Sequence, residues 1–399
     1  MIKIGNLQID KFYLGDTSDA KIYLGDVKVW PKEEEEPGTY PYAFKRVSRG
    51  GSAYTVDCNS TSSNTITSGD TQSGLGYSDI NDSTSDKTPV SVVFGDCCQS
   101  IGDYACNGWT YLTSVTISDN VTSLGAYSFY NTTRVEHLEI GIGITNISTG
   151  TFNKTGMSGS TKPDLDLSAN VWLEVGDGSF NSCYFNNVIF PNNCRLSSES
   201  FQSCSASTLS FGSGTMILDG AYNPAFGYST ISDIDLNGVT RIGDGAFYST
   251  RGYTSITIPP SVTTFGSNAF NNVFTLNSVT IDYASNATLG ENQFMDLYIT
   301  SLTIGSHPTS IGGNMFRNCI ELTSLVIPSN ISSINFYAFN GCSSLNSITV
   351  HSTTPPTLGS GAFDDTNDCP IYVPSGSVDA YKAASGWSDY ASRIQAIPT

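Results

Sequence analysis

A six-residue phrase recurs about every 23 residues along most of this chain and constrains the fold more than any other feature. It consists of an apolar residue, a glycine, two variable residues, a small residue and a phenylalanine, as in Ile242-Gly243-Asp244-Gly245-Ala246-Phe247. A fixed period of this length is typical of a solenoid, in which each repeat packs on its neighbours and a long surface is presented. Cys106 takes the aromatic position in the first copy, and phenylalanines take it in the others: Phe129, Phe152, Phe180, Phe201, Phe226, Phe247, Phe270, Phe294, Phe316, Phe339 and Phe363.

A strand-like run follows the phenylalanine in each repeat, and its residues alternate between apolar and polar. Val115 and Ile117 should point inward, while Ser114 and Thr116 point outward. We expect the glycine to permit a tight or positive-φ turn and the phenylalanine to fill the core between rungs. The pattern predicts a mainly β solenoid with one short strand and an irregular or 3-10 segment per rung. The predicted strands are 112–117, 231–236, 253–258, 276–281, 299–304, 322–327 and 345–350.

Both ends of the chain differ from the repeat. Residues 1–30 contain a small duplication with Gly-Asp turns that predicts β-hairpins, and residues 31–41 form an acidic linker rich in Pro and Gly. Residues 42–87 are predicted to be a loop-rich cap with a strand at 53–56, and residues 88–363 to be the solenoid. Residues 364–399 are predicted to be a C-terminal cap with a short helix at 377–385, in which Trp387 and Tyr390 cover Phe363.

The charge of the chain excludes some classes of partner. Its 399 residues carry a net charge of -18, so the basic face needed to follow nucleic-acid phosphates is not expected. The acidity also argues against binding to anionic lipid headgroups, and no apolar run is long enough to insert into a membrane. The first residues lack the pattern of a signal peptide. We therefore expect a protein that acts outside a cell to leave by a non-classical route.

The ten cysteines do not predict a metal site. Cys183, Cys204, Cys319 and Cys342 lie three residues after the repeat phenylalanine, in a position that other rungs fill with Thr or Val. This sharing predicts a small buried position and favours free thiols, although Cys319 and its neighbour on the next rung could pair. With three scattered histidines and no Cys-x-x-Cys motif, neither a metal nor any other cofactor is expected.

The rungs resemble the BspA-type leucine-rich repeat. Residues 256–270 and 325–342 follow its unit, and residues 355–387 resemble the usual end of such proteins. The resemblance covers about residues 88–399 and implies a leucine-rich-repeat solenoid that serves adhesion and ligand binding without catalysis. The rungs between Phe152 and Phe247 depart from the unit, since their phenylalanines are 28, 21, 25 and 21 residues apart.

The duplicated N-terminal segment resembles the anchoring modules of virion proteins from phages of gut Bacteroidales. This resemblance implies a phage virion protein, located on the particle as a tail or head fibre, and a homo-oligomer in the manner of fibre proteins. Its solenoid would bind a host cell-surface glycan or protein, and residues 1–30 would bind other virion proteins. A bacterial surface adhesin and a polysaccharide depolymerase are the alternatives. The anchoring residues expected from this resemblance are Tyr13, Leu14, Tyr23, Leu24 and Trp30.

No motif of a hydrolase elbow, a zinc protease or a phosphate loop occurs, so no catalytic residues are predicted. The pairs Asp164 with Asp166 and Asp233 with Asp235 could imitate glycosidase carboxylates, but solvated β-surface positions explain them better. Binding is expected where the repeat is irregular, because tyrosines together with Asp and Arg there suit glycan recognition, whereas packing between rungs is the alternative for each tyrosine. The candidate ligand-binding residues are Tyr222, Tyr228, Tyr248, Arg251, Tyr253, Asp166 and Asp235.

Overall fold

The computed structural model describes residues 91–95, 98–156, 161–217 and 223–398, and only strand backbones before residue 91. The chain divides into two compact units, residues 1–41 with 59–62 and residues 42–58 with 63–399. The first unit contains two antiparallel hairpins. One of them pairs Ile22–Leu24 with Val27–Trp30, in the second copy of the duplication. Tyr13 and Leu14 lie outside the described residues, and the side chains of Tyr23, Leu24 and Trp30 are not described. The hairpin strands are Ile2–Ile4, Leu7–Ile9, Ile22–Leu24 and Val27–Trp30.

The second unit is a solenoid, which confirms the predicted fold class. One strand follows each phenylalanine turn, and we call these the front strands. Apart from an antiparallel hairpin at the N-terminal end, they pair in parallel with the neighbouring rungs. They form four sheets: Tyr42–Arg46, Ser52–Cys58, Val90–Phe94, Leu112–Ile117 and His137–Ile140; Leu165–Asp166, Asn187–Ile189, Ser205–Ser210 and Thr230–Asp235; Ser255–Ile258, Ser278–Ile281 and Ser301–Ile304; Ser324–Ile327, Ser347–Val350, Ile371–Val373 and Ile394–Ala396.

Each rung also has a second, shorter strand, so the prediction of one strand per rung was wrong. These back strands precede the phenylalanine, and most contain only two or three residues. Most of them end at the apolar residue that opens the phrase, which is why the sequence pattern did not separate them. They form a ten-stranded and a three-stranded parallel sheet: Thr65–Ile66, Ser100–Ile101, Ser123–Leu124, Asn146–Ile147, Leu173–Val175, Cys194–Leu196, Thr215–Ile217, Val239–Ile242, Thr264–Phe265 and Thr288–Leu289; Ser310–Ile311, Ser333–Ile334 and Thr357–Leu358.

The phenylalanines form one continuous ladder through the core. All eleven rings from Phe129 to Phe363 stack on their neighbours, with ring centroids 4.8 to 5.8 Å apart. Val115 and Ile117 are buried, and Ser114 and Thr116 are partly exposed, as the alternation predicts. Since a ring of this size contributes several kcal/mol when it is fully buried, the ladder is the main apolar support of the stack.

The phrase glycine has a different role from the predicted one. The left-handed backbone lies two residues before and two after the phenylalanine, as at Gly245 and Ser249 around Phe247. Gly266 is not in that region; instead, a Cβ on it would lie 2.5 Å from the backbone nitrogen of Asp244 on the preceding rung. The glycine is therefore needed because adjacent rungs approach each other closely at this point.

The C-terminal cap closes the ladder as predicted. Trp387 and Tyr390 contact the last ring, Phe363, with centroids at 5.7 and 5.9 Å. Trp387 is completely buried and its Nε1 donates a hydrogen bond to the carbonyl of Pro356 at 2.7 Å. The helix is shorter than predicted, because a 3-10 turn at Ser375–Ser377 precedes the α-helix Val378–Ala383. The Ser377 hydroxyl donates to the Thr353 carbonyl and does not cap the helix.

Both columns of strands are interrupted between the same two rungs. The front strand Ser301–Ile304 does not pair with Ser324–Ile327, and the back strand Thr288–Leu289 does not pair with Ser310–Ile311, within the described range 223–398. The phenylalanine turns remain joined there, since the Phe294 nitrogen donates to the Met315 carbonyl at 2.9 Å. We call this place the parted interface.

The side chains in the small position of the phrase explain the parted interface. Ala246, Ala269 and Ala338 fill this position on other rungs, but Gln293 and Met315 fill it here, and both are completely buried. The Gln293 Oε1 has no hydrogen-bond partner. Tyr283 adds a further bulky side chain at this interface, and its hydroxyl donates a hydrogen bond to the Ser310 carbonyl at 2.5 Å. Larger groups between rungs hold the strands apart, because a close-packed core does not absorb extra volume without backbone shifts.

Candidate functional site

Two of the predicted binding tyrosines form an aromatic pair on the phenylalanine turns, in which Tyr228 is exposed and Tyr248 is partly exposed. Tyr228 and Tyr248 meet edge to face with centroids 5.7 Å apart, and the Tyr228 side chain is 53% exposed. Tyr228 also has a left-handed backbone, with φ 59°. The Tyr248 hydroxyl accepts a hydrogen bond from Asn272 Nδ2 at 2.8 Å, so the next rung holds that ring in place.

The prediction that Tyr253 contributes to a binding surface was wrong, because this side chain belongs to the core. It is 2% exposed, and its hydroxyl forms a 2.6 Å hydrogen bond with Thr250 Oγ1. Burial raises the pKa of the Tyr253 phenol well above its usual value. Arg251 is exposed, and its Nε donates to Thr230 Oγ1 at 3.0 Å. Tyr222 lies outside the described residues.

Asp166 and Asp235 are exposed on the outward face of the front strands, away from the tyrosine turns. Strand pairing runs from Asp166 through Ile189 and Ser210 to Asp235, so three rung spacings of about 14 Å in total separate the two carboxylates. Each carboxylate accepts a hydrogen bond at 2.9 Å from the backbone nitrogen two residues further on, which stabilises a turn. The structure therefore does not combine these aspartates and the tyrosines into one site.

The two aspartate pairs considered for catalysis lie on the solvated β surface. Asp164, Asp166, Asp233 and Asp235 are all exposed. Asp164 Oδ1 accepts hydrogen bonds from Asn186 Nδ2 at 3.0 Å and from the backbone nitrogen of Asn187 at 3.1 Å, which gives it a structural role. The described residues contain no cluster of three or more His, Cys, Asp or Glu side chains suited to a metal ion. In the same part of the chain, no helix has both the length and the apolar character needed to cross a bilayer.

The repeated cysteines serve as hydrogen-bond donors within the core. The eight cysteines that the structure describes are buried, and the seven of them other than Cys98 are free thiols. Cys204 Sγ donates to the Phe180 carbonyl at 2.8 Å, and Cys342 Sγ donates to the Phe316 carbonyl at 3.2 Å, in each case one rung back. Desolvation raises the pKa of both thiols to about 12. Because the thiolate is the reactive form, these groups are suited to support the scaffold and not to act as nucleophiles.

A further exposed group was missed from the sequence. Phe274, Tyr298 and Ile320 each lie four residues after the phenylalanine of three consecutive rungs, and they are 53%, 45% and 42% exposed. The rings of Phe274 and Tyr298 are 5.8 Å apart. The signal was present in the sequence, because most other rungs have a polar residue or glycine in this position, as with Ser205, Thr230 and Ser343. Binding was not predicted on these rungs because their phenylalanines are regularly spaced.

Comparison with known proteins identifies the repeat. Six copies of the BspA type leucine rich repeat region match residues 84–164, 173–297 and 287–382, which together make up more than half of the chain. No curated protein sequence matches the chain.

Several solved structures are similar to the chain at low identity. A leucine-rich repeat protein from Bacteroides ovatus is 17% identical with a TM-score of 0.43, and the match covers 91% of this chain and 100% of that protein. A leucine rich cell surface protein from Faecalibacterium prausnitzii is 18% identical with a TM-score of 0.34, covering 90% and 97%. The pneumococcal vaccine antigen PcpA is 12% identical with a TM-score of 0.36, covering 90% and 96%.

The repeat unit, the phenylalanine ladder and the matched regions agree from the first rungs to the C-terminal cap. The chain belongs to the BspA-type leucine-rich-repeat family.

Proposed function

We propose that this protein is a non-enzymatic, adhesin-like repeat protein that acts outside the cell that makes it and binds a glycan or protein on a cell surface. The observation that supports this function is the aromatic pair of the exposed Tyr228 and the partly exposed Tyr248, with the exposed Arg251 three residues after Tyr248 in the chain. An aromatic face stacks on the apolar face of a sugar or packs on an apolar side chain, and the guanidinium supplies directional hydrogen bonds. Residues Asp166 and Asp235 would contribute hydrogen-bond acceptors on the front strands.

A cell-binding assay tests this proposal. The double variant Tyr228→Ala with Tyr248→Ala should bind target cells or an arrayed glycan at least about tenfold more weakly than the parent chain, since exposed aromatic anchors dominate binding energy. Tyr104→Ala is the matched control, because Tyr104 is 50% exposed on the corresponding turn of another rung, that of Cys106. If the double variant binds as well as the control variant, the aromatic pair is not the binding site.

The absence of catalysis is tested separately. Incubation with purified surface polysaccharide should release no new reducing ends over hours. Release that depends on Asp164 or Asp233 would overturn the non-enzymatic proposal in favour of a depolymerase.

The second candidate is a phage virion protein that attaches through residues 1–30 to other virion proteins. Two observations favour it: the N-terminal strands form their own hairpins, and residues 1–41 cluster as a separate unit. Cryo-electron microscopy of purified particles would show copies of the solenoid attached to the virion if this function is correct. A particle preparation without the protein, alongside its detection on a bacterial surface, would leave only the adhesin proposal.

A further inference from the structure

The parted interface exposes apolar side chains that other rungs bury. Leu302 and Ile304 point inward from the front strand just before the interface, yet both are partly exposed. Their counterparts on the preceding rung, Val279 and Ile281, are completely buried. The missing pairing on the far side of this strand therefore opens part of the core to solvent.

Exposed apolar side chains occur on the rungs before and after this opening. Phe274, Tyr298 and Ile320 lie at the same position of three consecutive rungs, before the front strands. Val326 is 49% exposed on the outward column, where the equivalent residues Thr303 and Thr349 carry hydroxyls. We call Phe274, Tyr298, Ile320 and Val326 the apolar stripe. A set of exposed large apolar residues on adjacent rungs, rimmed by Ser and Thr, is typical of a protein-binding surface.

The charges around the apolar stripe are acidic. Residues 270–327 contain four carboxylates, one arginine, Arg317, and no lysine. That guanidinium lies over the Tyr337 ring, 5.6 Å from its centroid. Glu321 is exposed next to Ile320, and Asp296 is exposed two residues before Tyr298. A second copy of this chain, with its net charge of -18, would be repelled, whereas a partner with basic residues would be attracted.

We propose that the apolar stripe and the opening at the parted interface bind a protein segment that carries apolar side chains flanked by Lys or Arg. Phe274 and Tyr298 supply the aromatic anchors, Leu302 and Ile304 receive an apolar side chain, and Glu321 and Asp296 attract the basic flanks. Aliphatic residues in the stripe favour a protein over a sugar, because Ile320 and Val326 offer no ring face for stacking. This proposal deepens the adhesin-like function by naming a class of partner, and it rests on that function only for its setting outside the cell.

A synthetic peptide tests the proposal on the full chain. The probe is a twelve-residue peptide of alternating Leu and Phe between two pairs of lysines, and the matched peptides carry Glu for Lys or Ser for Leu and Phe. Binding to the immobilised chain is measured by interferometry at low and physiological salt. We expect the Lys peptide to bind at least about tenfold more tightly than either matched peptide. Equal binding of the Lys and Glu peptides, or of the Lys and Ser peptides, would overturn the proposal.

Variants of the chain locate the binding. The double variant Phe274→Ser with Tyr298→Ser should weaken binding of the Lys peptide at least about tenfold. Glu321→Lys should weaken it less and reduce its dependence on salt. Tyr104→Ser serves as the matched exposed control and should bind as the parent does. Since all these side chains are exposed, thermal unfolding should show that each variant folds. Unchanged binding in the double variant would refute the proposed site.

The result is separable from the test of the adhesin-like function. If Tyr228→Ala with Tyr248→Ala abolishes cell binding while the Lys peptide still binds, the two sites are independent and both proposals stand. If an arrayed neutral glycan binds and Phe274→Ser removes that binding, the stripe is a glycan site. In that case the protein-partner proposal is wrong, and the adhesin-like function remains.

Discussion

The rungs of residues 165–265 and those of residues 288–327 differ in strand pairing, and the difference is the opposite of what their phenylalanine spacing suggests. The first group has uneven phenylalanine spacing, yet its back strands from Leu173–Val175 to Thr264–Phe265 pair without interruption. The second group has near-regular spacing of 24 and 22 residues, yet both strand columns stop there. Spacing therefore does not determine whether rungs join. Extra residues are accommodated between elements, whereas a large side chain in the small position acts directly on the distance between strands.

Substitution of the phrase glycines should give the largest change in stability and so tests this comparison most strongly. Gly266→Ala should lower the free energy of unfolding by about 3 kcal/mol, because the added Cβ would meet the Asp244 backbone at 2.5 Å. Gly312→Ala, at the parted interface, should cost less than about 1 kcal/mol, because the nearest atom is the flexible Met315 Cε at 3.0 Å. Urea unfolding of both variants measures the difference. Equal losses would mean that the rungs are equally close at both places.

Amide hydrogen exchange compares the two groups in the unmodified chain. Amides of Ser324–Ile327 should exchange at least about tenfold faster than those of Ser205–Ser210, because only the latter strand pairs on both sides. Mass spectrometry of peptic peptides that cover the two strands makes the measurement. Equal protection would show that the front strands join across the parted interface in solution.

The buried thiols predict the effect of alkaline pH. The folded pKa of Cys204 is raised to about 12 by desolvation, so the stabilisation from its neutral form is complete below the unfolded thiol pKa of about 9. It is lost as the pH rises from about 9 to 12, at about 1.4 kcal/mol per pH unit. Cys204→Val should reduce this slope by that amount, as Val273 occupies the same position elsewhere. Unfolding titrations between pH 8 and 11 test it, and an unchanged slope would contradict the assignment.

Replacement of Gln293 should have the smallest effect on stability. It should make the parted interface more like the interfaces between the rungs of residues 165–265. Gln293→Ala removes a buried Oε1 that has no partner and restores the side chain found in Ala246 and Ala269. We expect the free energy of unfolding to rise by about 1 kcal/mol, since an unsatisfied buried group costs about 1–3 kcal/mol. Exchange of the Ser324–Ile327 amides should slow in parallel. A less stable variant with unchanged exchange would show that Gln293 does not hold the rungs apart.

Much of the scaffold was predictable because it depends on residues that repeat. The phenylalanine ladder, the inward positions of Val115 and Ile117, and the contact of Trp387 with Phe363 all follow from the apolar pattern. The back strands were missed because two extended residues leave no alternation to detect. The role of Gly266 was missed because a single sequence does not distinguish a tight turn from a close approach between rungs.

The candidate sites were less predictable, since exposure is decided between rungs and not within one. Tyr253 is surrounded in sequence by small polar residues, as Tyr248 is. It lies two residues before the front strand Ser255–Ile258, and its hydroxyl reaches Thr250 in the core. Phe274 and Tyr298 were not predicted because they lie on rungs with regular phenylalanine spacing, where no binding was expected. Gln293 and Met315 in the small position were the visible signal of the parted interface, and a position-by-position comparison of the rungs would have found them.

The unbroken phenylalanine turns across the parted interface have a mechanical consequence. A pulling force along the stack would be carried there by the stacked rings, the turn hydrogen bonds and side-chain hydrogen bonds such as that from Tyr283 to Ser310. Most other interfaces share the force with strand pairing on at least one side. The array should therefore yield first between Phe294 and Phe316 and extend in two separate steps. For a protein that holds a cell surface under flow, this interface would set the load at which attachment lengthens before it fails.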